Sequence, residues 1–356
     1  MQRGGKLLGE GSFGCAFQPA PACADGRKLA HDEIGKIVLK GEEADEELRS
    51  GRTIMAISSD SAKYFALPQN SCIPAMPIQD EDVSDCEVIQ DSKRSQSKRS
   101  EGSPYTMLIM PNAGKTLHAW SHQYPLVADT FLHVFKHLLE GMVIYQDAGY
   151  VHNDIKDNNI LVDKENVARY IDFGLAYKVA AVTTMESANL GTTFKPKYGY
   201  HAPEIHVWRL FYSNSRASSK NPIKIPLIID EGVKKIKEYN SHYAQLEHAF
   251  PNRDSATEAL TAFAFATKAS WAVNDFGSVV RKYGNRFDSW RLGITMWQIW
   301  YALLKWHGFN GHRIHAKAHH VRTLLSGLTD FDVEKRWDAR KALAFIKNPQ
   351  NPAVAE

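Results

Sequence analysis

The chain has 356 residues, 44% hydrophobic and 23% charged, which suits one large domain or two smaller lobes with ample apolar material for a core. Its net charge of +3 gives no bulk pull toward nucleic acid or an anionic membrane. Cys15, Cys23, Cys72 and Cys86 show no C-x-x-C spacing, so no disulfide framework is expected and a reducing, cytoplasmic setting is the default. No apolar signal core opens the chain and no uncharged apolar run reaches roughly 18 residues, so no membrane insertion is expected.

In chain order, Lys6 to Leu8, the turn Gly9 to Gly14, and Lys36 to Leu39 predict strand, glycine turn and strand. Gly41 to Ile57 runs from acidic to apolar with an amphipathic pattern and predicts a helix. The stretch near 86–104, with SKRSQSKRSEGS from Ser92 to Ser103, contains no large apolar residue in that run and predicts a disordered surface insert. Tyr105 to Met110 predicts a buried strand stopped by Pro111. Val127, Phe131, Val134, Phe135, Leu138 and Met142 recur at helical spacing, with Gly149 where the helix would end. Arg291 to Leu304 is apolar almost all round and predicts a helix central to its lobe. The sum is an α+β fold, with a strand-rich part over 1–111 and a helical part over 112–356.

Two segments carry chemistry. Gly9-Glu10-Gly11-Ser12-Phe13-Gly14 is a G-x-G-x-x-G loop, whose glycines allow backbone N–H groups to approach phosphate. Dinucleotide-binding folds use the same spacing, but there a helix follows; here Cys15-Ala16-Phe17 continues as strand. The second segment, His152 to Val162 followed by Asp172-Phe173-Gly174, fits H-x-D-x-x-x-x-N and then D-F-G. Phosphoryl transfer requires positioning and charge neutralisation. Asp154 can take the proton of an attacking hydroxyl, Lys156 can neutralise the phosphoryl in flight, and Asn159 and Asp172 offer oxygen ligands to Mg²⁺.

With these motifs the chain resembles a eukaryotic-type protein kinase over nearly its whole length. The resemblance implies the two-lobed fold of that family, with an N-terminal nucleotide-binding lobe over 1–111 and a catalytic lobe over 112–356, and ATP and Mg²⁺ as cofactors. It implies that Gly9, Gly11, Ser12, Phe13, Gly14 and Ala16 lie against the nucleotide. Lys40 takes the place of the strand lysine on the phosphates, with Glu47, or alternatively Glu46, as its partner. Met110 resembles the gatekeeper, and Pro111 to Ala113 the hinge that binds adenine. Ala202-Pro203-Glu204, Asp288-Ser289-Trp290-Arg291-Leu292-Gly293 and Arg336 resemble three later motifs, with Arg336 expected to pair with Glu204. These matches favour protein substrates over small molecules or lipids, and D-x-K-x-x-N with Lys156 resembles the serine/threonine branch. Retention of the catalytic residues argues against a pseudokinase scaffold.

The chain departs from the family at four places, one of them the Ser/Lys/Arg insert that swells the loop between the third and fifth strands. Asn153 replaces the arginine that grips an activation-loop phosphate, which predicts activity without phosphorylation there. Lys197 stands where a threonine usually touches the catalytic aspartate, with Thr192 or Thr193 as substitutes. A folded insert near 205–287 reads equally as docking surface or structural cover. The large inserts and Asn153 together resemble divergent kinases of large DNA viruses. His312, His315, His319 and His320 lack an accompanying cysteine or paired carboxylate and read as surface histidines rather than a zinc site.

Overall fold

In the computed structural model, which describes residues 6–11, 14–75, 86, 104–123, 127–191, 198–218, 224–239, 254–306 and 312–348, the glycine turn is flanked by the strands it joins. Strands β1 (Lys6–Gly11), β2 (Gly14–Gln18), β3 (Glu33–Leu39), β4 (Asn70–Cys72) and β5 (Tyr105–Pro111) form an antiparallel sheet in the order β1-β2-β3-β5-β4. Ser12 and Phe13, the inserted Ser92 to Ser103 run, and Thr192, Thr193 and Lys197 lie outside the described residues.

Alternation along β3 sends its side chains to two different cores. Ile37 joins Cys15, Phe17, Tyr105, Met107 and Ile109 on one face. Val38 packs with Ala44 and Leu108 on the other, where helix α1 (Glu42–Met55) lies. Glu42, Glu43 and Asp45 occupy the first turn of α1, where acidic side chains complement the helix dipole. Helix α2 (Ser61–Tyr64) follows it.

The expectation of unpaired cysteines is overturned. Cys15 bonds Cys86 and Cys23 bonds Cys72, with Cα separations of 6.1 and 5.8 Å. Antiparallel pairing sets Cys72 opposite Met107 on β5, and an isolated bridge joins Cys23 to Pro74, so the second pair is brought together by the sheet. Spacing along the chain, 49 and 71 residues, carries no trace of this proximity.

The chain divides into two compact units, Met1–Gly114 with Ile171–Gly174, and Lys115–Tyr170 with Leu175–Glu356. The second holds short strands β6 (Lys115–Thr116), β7 (Tyr150–Val151), β8 (Ile160–Val162), β9 (Ala168–Tyr170) and β10 (Tyr177–Lys178), paired as β6-β8-β9 and β7-β10. Its helices are α3 (Leu117–Ser121), α4 (Ala128–Asp147), α5 (Pro203–Ser218), α6 (Lys224–Tyr239), α7 (Asp254–Ala266), α8 (Lys268–Ala272), α9 (Phe276–Trp306), α10 (His312–Leu328) and α11 (Ala339–Lys347). Phe131, Val134, Phe135, Leu138 and Met142 of α4 are buried as their spacing requires.

Helix α9 begins well before Arg291. Phe276, Val279, Val280, Tyr283, Phe287 and Trp290 continue the helical stripe toward its N-terminus and are all buried. They share one core with Trp208 and Phe211 of α5, Ile229 and Val233 of α6, and Leu260 and Phe263 of α7. The described helices of the 205–287 insert are therefore integral to the core of this unit. The structure describes no helix long and apolar enough to cross a membrane.

Candidate active site

In the second unit the catalytic run is held from beneath by the start of the D-x-W-x-x-G motif. Asp288 is fully buried, and its carboxylate accepts the backbone N–H of His152 at 2.6 Å, that of Asn153 at 3.1 Å, and the Tyr145 hydroxyl at 3.1 Å. Arg291, one helical turn on and equally buried, supplies the balancing charge at 3.1 Å. Anchoring the backbone rather than side chains fixes where Asp154 emerges.

Asn153 has a positive φ of 68°, a region in which asparagine is several-fold enriched. Its side chain is buried and fully engaged. Nδ2 donates to the carbonyls of Leu175 at 3.2 Å and Ala188 at 3.1 Å, and Oδ1 accepts from Arg291 at 2.6 Å. A neutral amide thus ties the start of the activation segment to the catalytic loop.

The Asp154 carboxylate is shared among three donors. Lys156 Nζ and Asn159 Nδ2 each reach Oδ2 at 2.8 Å, and the Tyr198 hydroxyl reaches Oδ1 at 2.7 Å. Asn159 Nδ2 also donates to the Asp154 carbonyl at 2.9 Å, so both of these bonds use the amide nitrogen rather than Oδ1. Tyr198 stands one residue beyond Lys197, and reading the sequence did not single it out. Tyr200 donates to Asp157 Oδ1 at 3.2 Å, while His118 Nδ1 lies 3.0 Å from Oδ2 of the same carboxylate. Glu204 and Arg336 form the expected pair, at 2.6 and 3.0 Å and with both side chains completely buried.

In the first unit the lysine expectation needs correction. Lys36 Nζ, not Lys40, reaches Glu47, at 2.7 and 2.8 Å from its two carboxylate oxygens. The strand starts at Glu33, three residues before the sequence pattern suggested, so Lys36 sits within it on the same face as Val38, toward α1. Lys40 lies beyond the strand end, about 13 Å further along an extended chain, is exposed, and uses its backbone N–H on the Pro104 carbonyl at 2.8 Å. Glu47 is therefore placed on a lysine as anticipated, whereas Glu46 pairs with Arg49 at the surface.

Asp172 also belongs to this unit, at a positive φ of 61°, with Oδ1 accepting the Gly174 N–H at 3.2 Å. Phe173 packs edge-on to Phe65 at 5.6 Å. Of the loop glycines, Gly14 is required by packing, since a Cβ there would collide with the Ile37 carbonyl. A Cβ at Gly9 would meet nothing within 4 Å among the described residues. Ala16 is half-buried on β2, and Met110 packs beside Val38 and Leu108. Ala113 is buried, and the Asn112 N–H is occupied by the Asp32 carbonyl at 2.6 Å.

Residues 93–219, which contain the catalytic run, Asp172 and Glu204, match the family model for the protein kinase domain. Similar proteins include MAP kinase kinase kinase SSK2 of Saccharomyces cerevisiae, 49% identical over 85 residues and 24% of this chain. Mitogen-activated protein kinase kinase kinase 1 of Arabidopsis thaliana is 27% identical over 216 residues and 58% of this chain. Probable serine/threonine-protein kinase mkcB of Dictyostelium discoideum is 26% identical over 112 residues and 31% of this chain. This chain spans 5%, 30% and 16% of the lengths of these three relatives. Together with the α+β content, these matches support a eukaryotic-type protein kinase domain.

Proposed function

We propose that this chain is a two-lobed, ATP- and Mg²⁺-dependent protein kinase that phosphorylates serine or threonine hydroxyls of proteins. The observation that carries this reading is the Asp154 carboxylate, flanked by Lys156 and Asn159 within 2.8 Å. Asp154 Oδ1 orients the acceptor hydroxyl and takes its proton as the bond to phosphorus forms. Lys156 stands beside it to neutralise the equatorial oxygens. Asn159 and Asp172 present oxygen donors of the kind a hard divalent cation selects, and Mg²⁺ held by them would neutralise phosphate charge.

Lys36, fixed by Glu47, takes the role on the α- and β-phosphates first given to Lys40. The glycine loop brings backbone N–H groups to the phosphates. Adenine recognition falls to the Pro111 carbonyl and the Ala113 N–H, because proline has no N–H and that of Asn112 is already used. Lys156 favours a serine or threonine acceptor, in keeping with the name of the Dictyostelium relative. A viral origin rests on Asn153 and the inserts alone. A reducing cytoplasm is opposed by the two disulfides.

Radiolabelled ATP offered with generic protein substrates tests the reading. Wild type should transfer label to serine and threonine, Asp154→Asn and Lys36→Met should lose at least about a hundredfold, and Lys40→Met should stay near wild type. Equal transfer by wild type and Asp154→Asn would overturn the enzyme assignment. Label confined to lipid or sugar would overturn the substrate class.

A further inference from the structure

The hydroxyl of Tyr198 donates to Asp154 Oδ1 at 2.7 Å. Lys156 and Asn159 both sit on Oδ2, so Oδ1 is the oxygen left to receive an acceptor hydroxyl. The protein already places a hydroxyl of its own on that oxygen, with a heavy-atom distance in the range a general base needs for its substrate.

The placement is built rather than incidental. The Tyr198 ring packs against His201 at a centroid distance of 4.4 Å and lies 6.0 Å from Tyr200. Tyr200 is itself fastened to Asp157, and His201 Nδ1 lies 3.2 Å from the Arg291 guanidinium. Burial and then the charge of Asp154 push the Tyr198 phenol above its ordinary pKa, so it remains protonated and donates.

We propose that Tyr198 is an internal occupant of the acceptor position, which a substrate hydroxyl must displace from Asp154 Oδ1 before transfer can begin. This rests on the reading of Asp154 as the base. Two consequences follow from competition between two hydroxyls for one oxygen. A lone serine in a short peptide gains little by replacing one hydroxyl with another, so productive acceptors need further contacts, as a folded protein or long segment provides. Water is excluded by the same competition, which suppresses wasteful hydrolysis of ATP.

Tyr198→Phe removes the hydroxyl and keeps the ring that packs on His201, so the variant is expected to fold. Steady-state kinetics with a short serine peptide should show its KM falling by about tenfold, the worth of one charge-assisted hydrogen bond in the competition. The kcat and the KM for ATP should be unchanged, and ATP hydrolysis without peptide should rise several-fold. A lower kcat with unchanged peptide KM would overturn the proposal, because it would make the phenol a support for Asp154 rather than its competitor. Unchanged kinetics and hydrolysis would overturn it equally. Running Asp154→Asn alongside separates the two levels: if that variant is dead while Tyr198→Phe behaves as wild type, the displacement idea fails and the kinase reading stands. Should Tyr198→Phe unfold early, Tyr198→Trp, which also lacks the hydroxyl, must reproduce the rise in hydrolysis.

Discussion

Single residues in this chain carry charge in two very different settings. Glu204 and Arg336 are completely buried and bonded through both carboxylate oxygens, so removing one partner leaves an uncompensated ion in the interior. Glu204→Ala should cost about 3–5 kcal/mol, measured as the loss of unfolding free energy in denaturant. Glu46→Ala breaks an exposed helical pair with Arg49 and should cost less than about 1 kcal/mol. Similar losses from both variants would refute the distinction. Asn153 shows the same economy with a neutral group. It links Leu175, Ala188 and Arg291 without a charge of its own, and we infer that the stretch from Leu175 to Ala188 is held in place without phosphate. Phosphatase-treated enzyme should therefore retain its activity in the transfer assay, and loss traced to the segment 172–204 would show that a phosphate is needed after all.

At the scale of elements, the local motifs were legible and the pairings made by tertiary structure were not. Asp154, Lys156 and Asn159 lie within six residues, and one stretch of backbone fixes their relation, so spacing alone was informative. Lys36 was missed because its role depends on where β3 begins, and strand ends are poorly marked by composition. The alternation of Gly35 and Ile37 against Lys36 and Val38 was the available signal. Tyr198 reaches Asp154 across 44 residues, and the cysteine pairs close over 49 and 71, distances at which sequence pattern is silent. Each disulfide closes a long loop in the sheet-bearing unit, and the chain-entropy model gives about 4 kcal/mol for each. Protein purified without reductant and then denatured should show no titratable thiol, and Cys23→Ser with Cys72→Ser should lower the unfolding midpoint of the first unit. Four reactive thiols in the unreduced protein would contradict the pairing.

Across the whole molecule, the second unit concentrates buried cations in its interior. Arg209, Arg291 and Arg336 are all nearly inaccessible, and the carboxylates of Asp288 and Glu204 compensate two of them directly. Arg209 instead donates to the Gly191 carbonyl at 2.6 Å, and burial followed by repulsion from Arg291 lowers its pKa to about 10. His206 is packed into the same region, where burial first and then Arg209 and Arg291 depress its pKa to about 3. Burial and the neighbouring Arg209 and Arg291 guanidinium groups disfavour a further positive charge there, so the ring stays neutral in the folded protein. In the unfolded chain the same histidine titrates near 6.5. Between pH 6.5 and about 3 the unfolded state therefore binds the extra proton, and the stability present above pH 6.5 is lost as pH falls through that window. The slope contributed by His206 approaches about 1.4 kcal/mol per pH unit. Buried carboxylates contribute acid sensitivity of their own, so the useful quantity is a difference. Unfolding free energies of wild type and His206→Gln at pH 7 and pH 5 should show a shallower decline in the variant, whose side chain cannot titrate. Parallel declines would mean that His206 is already protonated in the folded protein, with a counterion, and that the buried charge balance in the interior differs from the one described.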